Sequence, residues 1–194
     1  MRKFFVFALL AISTVMMAQE KRFVIKGEMS SPMLCYSNEA VKEVKLEQVV
    51  DGVTVVTATA AVENNKFVFE GVAPEELSLC NISGFDNGAI QLFLEEGEIT
   101  VGPFDAAYPA GAKIGGTPNN DMYQAYIDLN SRCVDEAKVR MKGAQANMPA
   151  EVKGDLAAEA KYISSVFHVN NMHFKVAIMD FIYKNIDSPV VLYI

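Results

Sequence analysis

Apolar residues recur at two different spacings along the chain, and the change falls near residue 117. Before it, short runs alternate with period two between turn residues, the pattern of half-buried strands. Phe23-Val24-Ile25 opens a first strand that stops at Gly27. Val44, Leu46 and Val49-Val50 lead into Asp51-Gly52, and Val53-Thr54-Val55-Val56-Thr57 follows. Asp-Gly between two β-branched runs predicts a tight hairpin, because both turn positions need positive φ. Asn64-Asn65-Lys66 predicts a second turn into Phe67-Val68-Phe69, whose two phenylalanines share a face. Leu77–Ile82, Ile90–Leu94 and Glu98–Val101 bring the expectation to about seven to nine short strands, the pattern of an antiparallel β-sandwich or partly closed barrel. Ser30–Asn38, with Pro32, reads as a loop or irregular edge.

From Thr117 the period becomes 3.6. Thr117 is the expected N-cap, and Pro118 suits the first helical position, where its missing N–H costs nothing. Tyr123, Tyr126, Ile127, Cys133, Val134, Ala137 and Met141 then share one helix face. Gly143 and Asn147 weaken the helix and Met148-Pro149 breaks it. A second helix is expected from Pro149 towards Asn185, with Val152, Leu156, Ile163, Phe167, Phe174, Ala177, Ile178 and Phe181 on its apolar positions, and Ser188-Pro189 as its terminator. Two helices joined by a short loop form an antiparallel pair. The fold class is therefore α+β: a β domain over 19–116, then a helical hairpin and C-terminal tail over 117–194. The last residues, Val190–Ile194, are apolar for a terminus. They either dock on the core or mark a point where a longer protein would run on.

The N-terminus has a different pattern again. Arg2 and Lys3 precede an apolar run from Phe4 to Met17, shorter than the roughly 20 residues that a membrane helix needs but suited to a secretory leader. Residues 1–18 are read as a signal peptide cut after Ala18, which implies export to the periplasm or the outer cell envelope, with no membrane span in the remainder. Arg2 and Lys3 leave with the leader while all 24 Asp and Glu stay, so the formal charge moves from −7 to about −9. A chain this acidic lacks the basic footprint of a nucleic-acid binder.

Candidate chemistry is sparse. Cys35, Cys80 and Cys133 contain no Cys-x-x-Cys pair. Cys35 and Cys80 fall in the strand-rich half and could pair, and Cys133 could bridge two copies, but three free, buried thiols is the favoured reading. His168 and His173 are about 140° apart on an ideal helix and cannot hold one metal from one face. Glu95, Glu96 and Glu98 around Gly97 read as solvated turn acids. Gly115-Gly116-Thr117 precedes a helix, where anions bind, yet no phosphate-loop lysine follows. Ser83-Gly84 lacks the first glycine of a nucleophile elbow. Tyr123 and Tyr126 read as core. No catalytic, cofactor-binding or metal-binding residue is assigned, and no cofactor.

Phe23–Gly27, the Asp51-Gly52 hairpin, Asn65–Gly71, Leu92–Val101 and Gly115–Asn120 together, in this order, resemble the DUF4369 domain. That domain forms the N-terminal part of Bacteroidetes exported thiol-disulfide oxidoreductases, ahead of a thioredoxin-like domain of the TlpA/AhpC-TSA type. Phe181–Pro189 is similar to the family's approach to that domain. The resemblance covers essentially all of the chain after the leader, but the thioredoxin-like domain is missing and none of the three cysteines matches a catalytic position. The expected function is thus a non-catalytic exported binding or interaction module with an unknown protein partner. The alternative is the accessory part of a periplasmic oxidoreductase whose thioredoxin-like domain lies beyond residue 194.

Overall fold

A computed structural model describes residues 20–194; the proposed leader lies outside the described residues. The β part is two four-stranded sheets packed face to face. Its strands are β1 (Arg22–Ser31), β2 (Glu43–Val50), β3 (Val53–Ala61), β4 (Lys66–Val72), β5 (Ser78–Ser83), β6 (Ile90–Leu94), β7 (Gly97–Asp105) and β8 (Ile114–Gly115). One sheet has the order β4-β1-β7-β8 and the other β3-β2-β5-β6. Neither closes into a barrel, so of the two expected forms it is the sandwich. The one parallel pairing among the described strands is β1 with β7; the rest are antiparallel. β7 enters beside β1 after the second sheet has been laid down, and so long a connection allows the parallel sense.

Period-two patterning sets the core. Along β1, Phe23, Ile25, Gly27 and Met29 point inward, and from the other strands Val44, Leu46, Phe67, Phe69, Ile82, Leu92, Ile99 and Val101 meet them. Gly27 is required here: its register partner is Phe67, and a β-carbon on it would sit 2.0 Å from that ring. Both predicted turns form. Asp51 and Gly52 have φ of 52° and 78°, and Asn64 and Asn65 have 51° and 63°, all in the left-handed region that two-residue hairpins demand. The expected loop from Ser30 begins later, since β1 continues through Ser31 and the chain then closes on itself through a Met33–Ala40 bridge.

Helix α1 spans Pro118–Ala146 and helix α2 Leu156–Lys184, and they pack against each other. α2 starts seven residues after the expected Pro149. Residues 149–154 form turns, Gly154 takes φ of 90°, and Asp155 supplies the N-cap, accepting from the N–H groups of Ala157 and Ala158. The helix ends at the expected Asn185, which is the C-cap, its side chain donating to Phe181 O, while Ser188-Pro189 opens a short 3-10 turn over Pro189–Leu192 rather than terminating the helix. That turn brings the apolar tail onto the sandwich. Val190 is fully buried, the Tyr193 ring lies edge-on to Phe93 with centroids 5.1 Å apart, and its hydroxyl donates to Leu77 O at 3.2 Å.

Candidate interaction site

Of the groups that sequence singles out for chemistry, Glu95, Thr117 and Tyr123 hold the sandwich to the helices. Glu95, at the β6–β7 turn, reaches over the start of α1. Its carboxylate accepts from the backbone N–H of Asn119 at 3.0 Å and of Asn120 at 3.2 Å, and from both side-chain amides. The position where an anion would bind at this helix N-terminus is thereby filled by the chain's own carboxylate. Asp121 fills the neighbouring place by accepting from Gly116 N at 2.9 Å. Thr117 stands at the N-cap position, but its hydroxyl caps no backbone N–H; it accepts from the Asn120 side chain at 2.8 Å. Glu95 performs the capping instead, from more than twenty residues away. Glu98 pairs with Lys26 at 2.5 Å, and Glu96 is exposed.

Asn120 is fully buried, and its importance is invisible in the local sequence. Its Oδ1 accepts from Phe93 N and its Nδ2 donates to Phe93 O, both at 2.8 Å. Tyr123, one turn on, lays its ring edge-on to Phe93 at 5.3 Å and stacks near Tyr126 at 6.3 Å, half-buried rather than deep in the core.

The three cysteines are free and lie on three different elements. Cys80 is buried in β5, and burial pushes its thiol up, away from the reactive thiolate. Cys133 is half-buried on α1. Cys35 departs from the expected burial: it is exposed in the loop after β1, outside the sandwich. That loop is held by Asp86, whose carboxylate accepts from the N–H groups of Cys35, Tyr36 and Ser37 at 3.1, 2.9 and 3.2 Å. Partial desolvation pulls the Asp86 carboxyl upward, but these three donors, together with its own backbone N–H, outweigh it and hold the group below the usual carboxylate range. His168 and His173 are both exposed on α2, and no cluster of three His, Cys, Asp or Glu suited to a metal occurs among the described residues. Ser83 donates to Glu47 at 2.6 Å inside the second sheet.

Alongside charged surface on α1, apolar surface also stays open. A groove of about 610 Å³ runs between the helices, lined by Cys133, Ala137, Met141, Phe167, Asn170 and Phe174 among others. At its floor Asn170 is buried, accepting from Arg140 Nε at 2.6 Å. At the far side of the sandwich, the β2–β3 hairpin carries exposed Val49, Val50, Val53, Val55 and Val56. No described helix is long and apolar enough to cross a membrane.

The fold and the site together define a two-layer β-sandwich latched by polar side chains to a helical hairpin, with apolar patches on its open surface. The chain belongs to the DUF4369 family, a domain of unknown function, whose family model matches residues 23–123. The match ends at Tyr123, so it takes in the sandwich and the polar latch to α1. No curated protein and no solved structure matches the chain.

Proposed function

We propose that this DUF4369 chain is a non-catalytic binding module, exported to the periplasm or outer cell envelope through the leader at residues 1–18, that works by contact with another protein. The observation that supports it is the division of labour among its side chains. Glu95, Asp121, Asn120 and Asp86 are spent on the chain's own N–H groups, while valines, methionines and aromatics on the hairpins face outward. A reacting centre needs groups converging on empty space, and an interaction module needs apolar surface on a rigid frame.

Dithiol exchange is the activity that the family resemblance brings to mind, and it has a direct test. The full chain and its Cys35→Ser, Cys80→Ser, Cys133→Ser variant are compared in insulin reduction with dithiothreitol. Equal, background rates are expected. A cysteine-dependent rate would overturn the proposal. Export is tested separately by fractionation and N-terminal sequencing, with Gln19 expected as the first residue; a retained Met1 in the cytoplasm would refute it.

A further inference from the structure

The two helices treat their outward faces differently. Beyond its contact with α2, α1 presents mainly charged side chains, among them Arg132, Asp135, Glu136 and Lys138, with exposed Val139 in their midst. α2 faces α1 with Ile163, Asn170, Phe174 and Phe181, and its opposite face is apolar as well. Val169, Met172, Val176, Met179 and Tyr183 lie there in alternating steps of three and four residues, between 48% (Met179) and 71% (Tyr183) exposed. The same spacing runs back through polar Ser165 and half-buried Tyr162 and Ala158, so the exposed apolar seam itself covers Val169–Tyr183, the C-terminal half of the helix. Five exposed apolar residues at a 3.5-residue repeat, over about two heptads, are the pattern of a helix that pairs with another helix rather than of a solvated surface. Its end nearest the sandwich is uncovered, since Tyr183 and, just past the helix, Ile186 are both exposed.

We infer that this seam is the contact surface for a second copy of the same chain, joined through α2 as a parallel, in-register two-helix coiled coil. Two observations choose the occupant and its direction. The order of the three- and four-residue steps places Val169 and Val176 at the first core position of the heptad and unbranched Met172 and Met179 at the fourth. β-Branched residues at the first position favour two parallel strands. The flanking charges agree. In a parallel pair, Lys175 of one copy faces Asp180 of the other, twice by symmetry, where Asp180 already pairs with Lys184 of its own helix at 2.6 Å and would be shared. An antiparallel pair would set the flank holding Lys161 and Lys175 against itself, and likewise the flank holding Glu159 and Asp180, placing like charges together. A helix from an unrelated protein has no such reason to match both flanks.

The inference deepens the proposed interaction role by naming the partner, and its failure is distinguishable from that of the proposed function, because the insulin assay does not depend on association. Sedimentation velocity on the full chain is expected to show a reversible dimer. Val176→Glu, at an exposed position where the monomer fold is unaffected, is expected to weaken that dimer by about tenfold or more with an unchanged circular dichroism spectrum. Direction is read by disulfide trapping in a Cys35→Ser, Cys133→Ser background. Tyr162→Cys and Val176→Cys each link to themselves only if the helices are parallel and in register; an antiparallel pair allows at most one of the two. A monomeric wild-type chain, a dimer indifferent to Val176→Glu, or trapping at only one site would overturn the inference. So would a monomer that takes up a helix of another protein on this face.

Discussion

The amide of Asn120 pairs with the backbone of Phe93 as a neighbouring strand would, accepting from its N–H and donating to its C=O, both at 2.8 Å. β6 is the edge strand of its sheet, and a helix side chain thus satisfies part of an edge that would otherwise be left unpaired under α1. The consequence is that a buried residue of the hairpin is part of the sheet's own hydrogen bonding, beside the Glu95 latch and the Tyr123 and Tyr193 contacts with Phe93.

Asn120→Ala removes both partners of a buried peptide and leaves them dry. The expected loss is about 2–3 kcal/mol, read from the urea midpoint. Asn120→Asp is expected to be worse, because it keeps the acceptor but loses both amide donors and places a charge beside Glu95. Wild-type stability in Asn120→Ala would show that water replaces the amide and that the coupling is weak.

Gly27 and Phe67 make a second checkable pair. With 2.0 Å between the missing β-carbon and the ring, Gly27→Ala is expected to cost about 1–3 kcal/mol through overpacking. In a Phe67→Leu background, where the aromatic ring is gone, the same substitution is expected to cost much less. Equal costs in both backgrounds would place the penalty in the backbone of β1 rather than in the contact.

These pairs mark the limit of what local sequence carries. Strands, both hairpin turns and the helix positions follow from periods and turn residues that act over a few neighbours, and Asp51-Gly52 and Asn64-Asn65 behave as their chemistry demands. Glu95 capping a helix more than twenty residues away, and Asp86 organising a loop some fifty residues earlier in the chain, arise only when the chain folds back, so neither residue is distinctive in its own neighbourhood. The start of α2 was readable in principle. Asp155 precedes the helix as a good N-cap, but Pro149 offered a competing start, and residues 149–154 take up turns instead. The outward seam of α2 was legible too. Its 3.5-residue spacing is hidden by the equally apolar inner face, because a helix apolar on two sides shows little net amphipathicity.

Asp86 gives the chain an acid-sensitive loop. Its folded pKa lies below the ordinary carboxylate value of 3.8, so the proton binds more readily when the loop is open. The stabilisation is therefore fully present above that value and is lost as pH falls below it through the folded pKa. The amide resonances of Cys35, Tyr36 and Ser37 are expected to shift together as pH is lowered below 3.8. Asp86→Asn is expected to abolish that shift while leaving the core amides of β1 and β7 protected. Resonances of the three that titrate at different pH values would mean that no common carboxylate holds them.

The last prediction concerns the inner seam of the hairpin. Asn170 is the one buried side chain of α2, tied to Arg140 Nε at 2.6 Å and, more loosely, to Ala137 O at 3.5 Å. Around it the contacts are apolar and forgiving: Cys133, Ala137, Met141 and Phe174 tolerate a slip of one helix along the other far better than a directional hydrogen bond does. A single buried polar residue between helices costs stability and fixes register. Asn170→Leu is accordingly expected to raise the urea stability by about 1 kcal/mol, since Arg140 is partly exposed and can turn to water. The same variant is expected to broaden or double the amide resonances of α2, as more than one register becomes populated. A stabilised variant with one sharp set of resonances would show that the apolar contacts alone set the alignment, and that Asn170 is a cost without a structural return.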